Sequence, residues 1–318
     1  MNLPFLKETK QKLLSPLTLQ LAQLFLTIFR NHPLITKEQK ETFRPFFIIG
    51  SGRSGTTLLR TILMRHPAIA IPPETYGLLN AIKKYIRYNG LDWQDLVNVV
   101  LGEFHAHPTF QYWETDLWPI RFELYDTPER DRSLARIIHS VYQCYLQKHK
   151  STATIWGDKT PFNTLRLKWI KKVFPRARYL HLLRDGRDVV SSYLKAKLMP
   201  SVEAACHRWN TSLDAADRFE KSCGPGQIIS LRYEDLVEKP AELTDKICRF
   251  LEIEYLPEMI ENMTVKLGDE ALEHLKNVQN PINKKSIGKW KKHLSPEEQM
   301  LTIKLLKDRL IKKGYRVD

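Results

Sequence analysis

Apolar positions along this chain repeatedly switch from strand spacing to helix spacing, and each switch marks an element boundary. An unbroken apolar run from Phe46 closes at Ile49, and beyond Gly55 the spacing becomes helical, with Leu58, Leu59, Ile62 and Leu63 on one face. A run without polar alternation is what a strand buried on both faces requires. Ile69 to Ile71 reads as a short strand beside the first, ended by Pro72-Pro73. Ile155 to Lys159 reads as another strand end, followed by a helix from Asn163 to Phe174 that Pro161 opens. Ala177 to Leu183 reads as a strand that turns into a helix, with Asp188 able to cap it. Ile228 to Leu236 reads as a strand, followed by a helix start at Lys239-Pro240 and a helix from Leu243 to Leu251. Strands alternating with helices predict an α/β fold with a P-loop-type central parallel sheet flanked by helices. Residues 77–150 read as mostly helical, with periodic runs over Leu91 to Phe104 and Ser133 to Leu146, and are expected to be an insertion within a domain spanning 45–318.

The turn between the first strand and its helix carries the strongest chemistry. Gly50, Gly52 and Gly55 let backbone amides crowd round an oxyanion, Thr56 and Thr57 add hydroxyls, and the loop sits on the positive end of a helix. Against the phosphate loop G-x-x-x-x-G-K-[ST], Gly50 and Gly55 fit and Thr57 takes the hydroxyl position, but Thr56 stands where the lysine belongs. That substitution argues against ATP or GTP hydrolysis and hence against a P-loop kinase. The positive charge sits instead at Arg53, whose guanidinium can clamp two oxygens of a phosphate or sulfuryl group without a metal. Arg184-Asp185-Gly186-Arg187 repeats the logic of strand, charged turn and helix start. Two arginine-bearing anion turns imply a ligand with two separated anionic groups.

Other candidates remain open on local grounds. Glu74 follows the double proline where a strand leaves the sheet, which suits a general base, yet it also suits the first turn of a helix through Leu78 and Ile82. Lys159 can point into a cleft or pair with Asp158. The aromatics between Phe104 and Tyr125 form either a pocket wall on the acceptor side or plain core. Asn283 to Lys292 is a basic segment with one large ring, Trp290, and reads as a solvated charge run or as a cover over phosphates. His105 and His107 lack further ligand-like residues at metal spacing, so no metal is expected.

Charge and composition narrow the partners. A formal charge of +14 over 318 residues suits an anionic ligand, a nucleic acid or an anionic membrane. The basic residues are spread out and no nucleic-acid signature occurs, so nucleic acid is not expected as a partner. Cys144, Cys206, Cys223 and Cys248 form no C-x-x-C pair and read as reduced thiols of a cytoplasmic chain, although spacing alone does not exclude a bridge. Residues 1–44 read as an amphipathic helix and linker: Lys7, Lys10 and Lys12 precede a leucine-rich run from Leu13 to Phe29 that is short and polar for a spanning helix. Such a helix packs on the domain or lies on a membrane surface. Nothing in the sequence specifies an oligomeric state.

Taken in order, Gly50 to Thr57, Pro73-Glu74-Thr75, Asp158-Lys159-Thr160-Pro161, Arg184-Asp185-Gly186-Arg187, Tyr233-Glu234-Asp235-Leu236 and Gly288-Lys289-Trp290 resemble the sulfotransferases that use 3′-phosphoadenosine 5′-phosphosulfate (PAPS). The likeness runs from about Pro45 to about Pro296 and is strongest to the branch containing tyrosylprotein sulfotransferases and bacterial homologues. It implies that Gly52, Arg53, Ser54, Gly55, Thr56 and Thr57 hold the 5′-phosphosulfate and that Arg184 and Ser192 hold the 3′-phosphate. By the same likeness Tyr233, Ser286, Lys289 and Trp290 lie about the nucleotide. Glu74 falls on the family's catalytic base, and Lys159 on the lysine that stabilises the transferring group. The acceptor implied is a hydroxyl on a phenol, sugar, lipid or peptide tyrosine. Gly288 replaces a serine of the tyrosylprotein enzymes, so Ser286 takes over that contact or it is lost. The cysteines bracing those enzymes have no counterparts near Pro72 or Gly157. A non-catalytic nucleotide- or membrane-binding protein is the competing class.

Overall fold

The computed structural model describes residues 32–261 and 281–317, so the expected helix from Leu13 to Phe29 lies outside the described residues. Five parallel strands, β1 (Phe46–Ile49), β2 (Ile69–Ala70), β3 (Ile155–Asp158), β4 (Arg178–Leu183) and β5 (Ile228–Arg232), form one sheet in the order β2-β3-β1-β4-β5. Successive side chains of a strand face opposite ways, and β1 divides its four residues accordingly. Phe47 and Ile49 enter a core with Trp156, Tyr179 and the helices of residues 77–149, while Phe46 and Ile48 pack with Leu59, Ile62, Leu180 and Leu182. Both faces are therefore covered, and all four β1 residues are buried.

Strand order corrects one expectation. β2 does not lie beside β1: β3 sits between them, pairing Phe46 with Gly157 on one side and Ile69 with Ile155 on the other. β2 has two residues before Pro72-Pro73, and a strand running into prolines, which cannot donate to a ladder, is fitted to the sheet edge.

Three further boundaries differ. The helix expected over Asn163 to Phe174 is a 3₁₀ turn, Pro161–Arg166, followed by an α-helix, Leu167–Val173. The tighter turn serves three side-chain bonds to strand ends: Asn163 donates to Asp158 at 2.8 Å, and the Thr164 hydroxyl accepts from Gly50 N at 2.9 Å while donating to Gly50 O at 3.0 Å. β5 stops at Arg232 and Tyr233 already begins a helix, Tyr233–Glu238, ahead of the helix Pro240–Leu251. Asp188 does not cap its own helix, Gly186–Lys195; Asp185 is the N-cap and accepts from Arg187 N at 2.9 Å. Residues 77–150 carry four helices, Gly77–Arg87, Trp93–His105, Trp118–Tyr125 and Leu134–His149.

In an open parallel sheet ligands gather at the carboxyl ends of the strands where the order reverses. Read across that edge from β2 to β5, the chain leaves each strand through Glu74, Lys159, the Gly50–Gly55 loop, Arg184 and Tyr233 in turn.

Candidate active site

The loop after β1 supplies the first anion contacts. Gly55 caps the helix Thr56–Met64 with a left-handed φ of 91°, and an added Cβ there would lie 2.3 Å from the Tyr233 ring. Arg53 also has a left-handed φ, 67°, a strained choice for a residue with a side chain. Its guanidinium lines the cavity side of the loop, where Nε donates to Ser192 Oγ at 3.1 Å. Among the described residues Arg53 forms no salt bridge, and burial pulls it below the ordinary arginine range, with Arg184 adding like charge. A half-buried cation with no salt-bridge partner among the described residues is a site prepared for an anion.

Arg184 comes from the end of β4 and reaches the same place. Its Nη1 donates to Arg53 O at 3.0 Å, its Nη2 donates to Ser286 O at 2.6 Å, and its guanidinium lies over the Tyr233 ring at 4.4 Å. Its Nε is buried without a partner among the described residues. Arg53, Gly55, Thr56, Thr57, Arg184, Ser192, Tyr233, Ser286 and Lys289 line one cavity of about 1200 Å³, with Lys195, Lys197 and Lys285 adding charge. The two arginines thus face one cavity. Ser286 contributes its backbone oxygen to Arg184.

Three of the nucleotide-binding candidates stand apart from the lining. Ser54 is buried and its amide closes the loop on Ser51 O at 3.3 Å. Gly52 lies against Tyr193, whose hydroxyl is 2.5 Å from where a Cβ would stand. Trp290 is buried under the Arg187 guanidinium at 4.6 Å, in the core that joins the helices after β4 to the carboxyl-terminal helix Pro296–Lys312.

Glu74 and Lys159 form the adjoining centre. Lys159, fully buried, donates to Glu74 Oε1 and to Thr57 Oγ1, the latter at 3.2 Å. Thr57 lines the cavity, so it joins the two centres. Glu74 precedes the helix Gly77–Arg87 rather than lying in its first turn, and it keeps partial exposure. Asp158 is not the partner of Lys159. It accepts from Tyr142 Oη at 2.7 Å, from Asn163 and from Thr160, and burial pushes its carboxyl up to about 6.

Beside Glu74 and Lys159 stands an aromatic wall. Tyr76 stacks on His107 at 4.9 Å and lies 5.6 Å from Phe162, which is exposed and carries the Arg208 guanidinium 5.6 Å from its ring. Burial and the charge of Glu74 raise the Tyr76 phenol. The aromatics between Phe104 and Tyr125 divide: Phe104, Phe110 and Trp113 are core, whereas Trp118 and Phe122 are exposed. Sequence reasoning assigned no role to Tyr193, Thr164, Phe162 or Arg208. Tyr193 adjoins Ser192 in the helix that follows the second anion turn, and that adjacency was the one usable signal.

Residues 45–258 match the sulfotransferase family, and the chain belongs to that family. It is a sulfuryl-transferring enzyme. Protein-tyrosine sulfotransferase 1 of Danio rerio is 26% identical over 312 residues, covering 90% of this chain and 74% of that protein. Protein-tyrosine sulfotransferase A of Caenorhabditis elegans is 24% identical over 77% of this chain and 61% of its own length, so the match spans less than two thirds of that relative. Among solved structures, a sulfotransferase domain from the curacin biosynthetic pathway superposes with a TM-score of 0.58 at 21% identity, covering 86% of this chain and 99% of the domain, a likeness of fold.

Proposed function

We propose that this enzyme moves a sulfuryl group from PAPS to a hydroxyl acceptor, with Glu74 as general base. The observation that carries the reading is the convergence of Arg53 and Arg184 on one basic cavity that Thr57 connects to the Glu74–Lys159 pair. A donor with anionic groups at both ends accounts for two arginines where one phosphate needs only one. Arg53 and the amides at the start of the helix Thr56–Met64 take the 5′-phosphosulfate, while Arg184 and Ser192 take the 3′-phosphate.

In the transfer, the acceptor oxygen forms a bond to sulfur as the bond from sulfur to the bridging phosphate oxygen breaks. The hydroxyl proton passes to Glu74, and the bond's electron pair remains on the departing adenosine 3′,5′-bisphosphate. Glu74 Oε2 has no hydrogen-bond partner among the described residues and is the oxygen left to accept that proton. Lys159 balances charge on the bridging oxygen, and Arg53 does so on the sulfuryl oxygens, so positioning and fixed positive charge carry the rate without a metal. The acceptor enters beside Tyr76 and Phe162, and two rings flanking the base favour a phenol, free or as a peptide tyrosine, over a sugar or a lipid.

All four cysteines are unpaired, which supports a reducing, cytoplasmic setting. Among the described residues no helix is long and apolar enough to cross a membrane. Residues 13–29 are the proposed membrane-surface contact. The test of the activity is transfer of label from ³⁵S-PAPS across phenol, sugar, lipid and tyrosine-peptide acceptors; label moving to a phenolic class supports the reading, and binding of the bisphosphate with no transfer to any class overturns it.

A further inference from the structure

A carboxylate stands in the wall of this basic cavity. Asp188 is buried, lines the cavity between Arg184 and Ser192, and is the one acidic side chain among the described lining residues. It does not oppose an anion there, because both of its oxygens are engaged by backbone from a segment 100 residues further on. Oδ2 accepts from Gly288 N at 2.8 Å and Oδ1 accepts from Trp290 N at 3.0 Å. The same segment is held a second time where Arg184 Nη2 donates to Ser286 O. Lys289 lies between these ties and Lys285 immediately before them, both lining the cavity, in a segment where Gly288 has a left-handed φ of 70°.

We propose that Asp188 is a positioning residue for the donor: it fastens the segment Asn283–Trp290 across the cavity, so that Lys285 and Lys289 are presented to the donor's phosphates. This rests on the reading of the cavity as the donor site. Two charge-assisted bonds from one carboxylate to two amides fix both the position and the register of a short loop, which a single lysine salt bridge could not do. The alternative opened by the sequence, a solvated run of lysines, leaves unexplained why a buried carboxylate is spent on that run's backbone. The fastening acts on binding and leaves the chemistry to Glu74 and Lys159, which belong to other strand ends.

The experiment compares the full chain with Asp188→Ala and Gly288→Ala. A Cβ at Gly288 meets nothing within 4 Å, so that variant keeps the carboxylate and the packing and strains only the turn. Without any ligand, Asp188→Ala is expected to speed tryptic cleavage between Lys284 and Lys292 and amide exchange at Gly288 and Trp290 at least tenfold. It is expected to weaken adenosine 3′,5′-bisphosphate binding and raise the PAPS KM at least tenfold while kcat stays within about threefold. Gly288→Ala shifts the same readouts in the same direction by a smaller factor, and it decides the matter if Asp188→Ala does not fold. Wild-type protection of the segment in the variants, or a fall confined to kcat, overturns the proposal. If the wild-type chain does not bind the bisphosphate, the donor reading fails, while the ligand-free exchange and cleavage rates still decide whether Asp188 holds the segment.

Discussion

Glu74→Gln separates binding from chemistry because the carboxylate lies outside the donor cavity yet touches the lysine beside it. The substitution keeps shape and an acceptor oxygen for Lys159 while removing the charge and the proton acceptor. On stability, the change weakens one charge-assisted bond, worth about 1.5–3 kcal/mol in general. The lower end applies here, since Glu74 keeps 31% exposure and solvent screens it, although Lys159 is fully buried. A fall of about 1.5 kcal/mol corresponds to a drop in Tm of about 2 °C in a chain of this size. On rate, loss of a general base removes a factor of about 10²–10⁴, equivalent to roughly 3–5.5 kcal/mol in the barrier. The assay is single-turnover transfer from labelled PAPS, with bisphosphate affinity measured on the same preparation. Full turnover in the variant refutes the role of Glu74 as base. Donor affinity lost in parallel with turnover refutes the division of the site into two centres.

Further outcomes follow from the same geometry. Arg53→Ala and Arg184→Ala each remove charge-assisted contacts worth about 1.5–3 kcal/mol and should weaken PAPS binding, measured by calorimetry without an acceptor, about 10- to 150-fold; wild-type affinity in both rules out the two-anion donor. Turnover should be unchanged by excess EDTA, since arginine and lysine carry the charge in this account, and inhibition reversed by added magnesium would contradict it. Asp158 yields a pH prediction. Burial raises its carboxyl from 3.8 to about 6, so between those values the folded chain keeps a proton that the unfolded chain has lost. Its contribution to stability is therefore greatest below 3.8 and is lost as pH rises through about 6. The Tm difference between wild type and Asp158→Asn, measured from pH 4 to 8, should move against wild type across that window; a constant difference contradicts the buried-acid reading.

What could be read from the chain and what could not divides along physical lines. The Gly50–Thr57 loop and the Arg184 turn were legible because their signals are local: an apolar run, glycine or charge at the turn, and helical spacing immediately after. The partner of Lys159 was not, because Asp158 is its neighbour in sequence whereas Glu74 is 85 residues away and arrives through strand order. The position of β2 was misread for a related reason, since adjacency in sequence says nothing of the strand β3 that later inserts between β1 and β2. Asp188 was read as a cap because capping is local, but Asp185 takes that role and frees Asp188 to hold a segment 100 residues on. The 3₁₀ turn at Pro161–Arg166 was hidden because its purpose, pinning Gly50 through Thr164, exists only in the folded chain.

The central claim is that one cavity grips both anionic ends of an adenine nucleotide. Calorimetric titration of the full chain with adenosine 3′,5′-bisphosphate and with adenosine 5′-monophosphate tests it most directly. The account predicts that removing the 3′-phosphate weakens binding at least tenfold and that Arg184→Ala abolishes this difference while Arg53→Ala preserves it; equal affinity for the two nucleotides in the wild-type chain would contradict it.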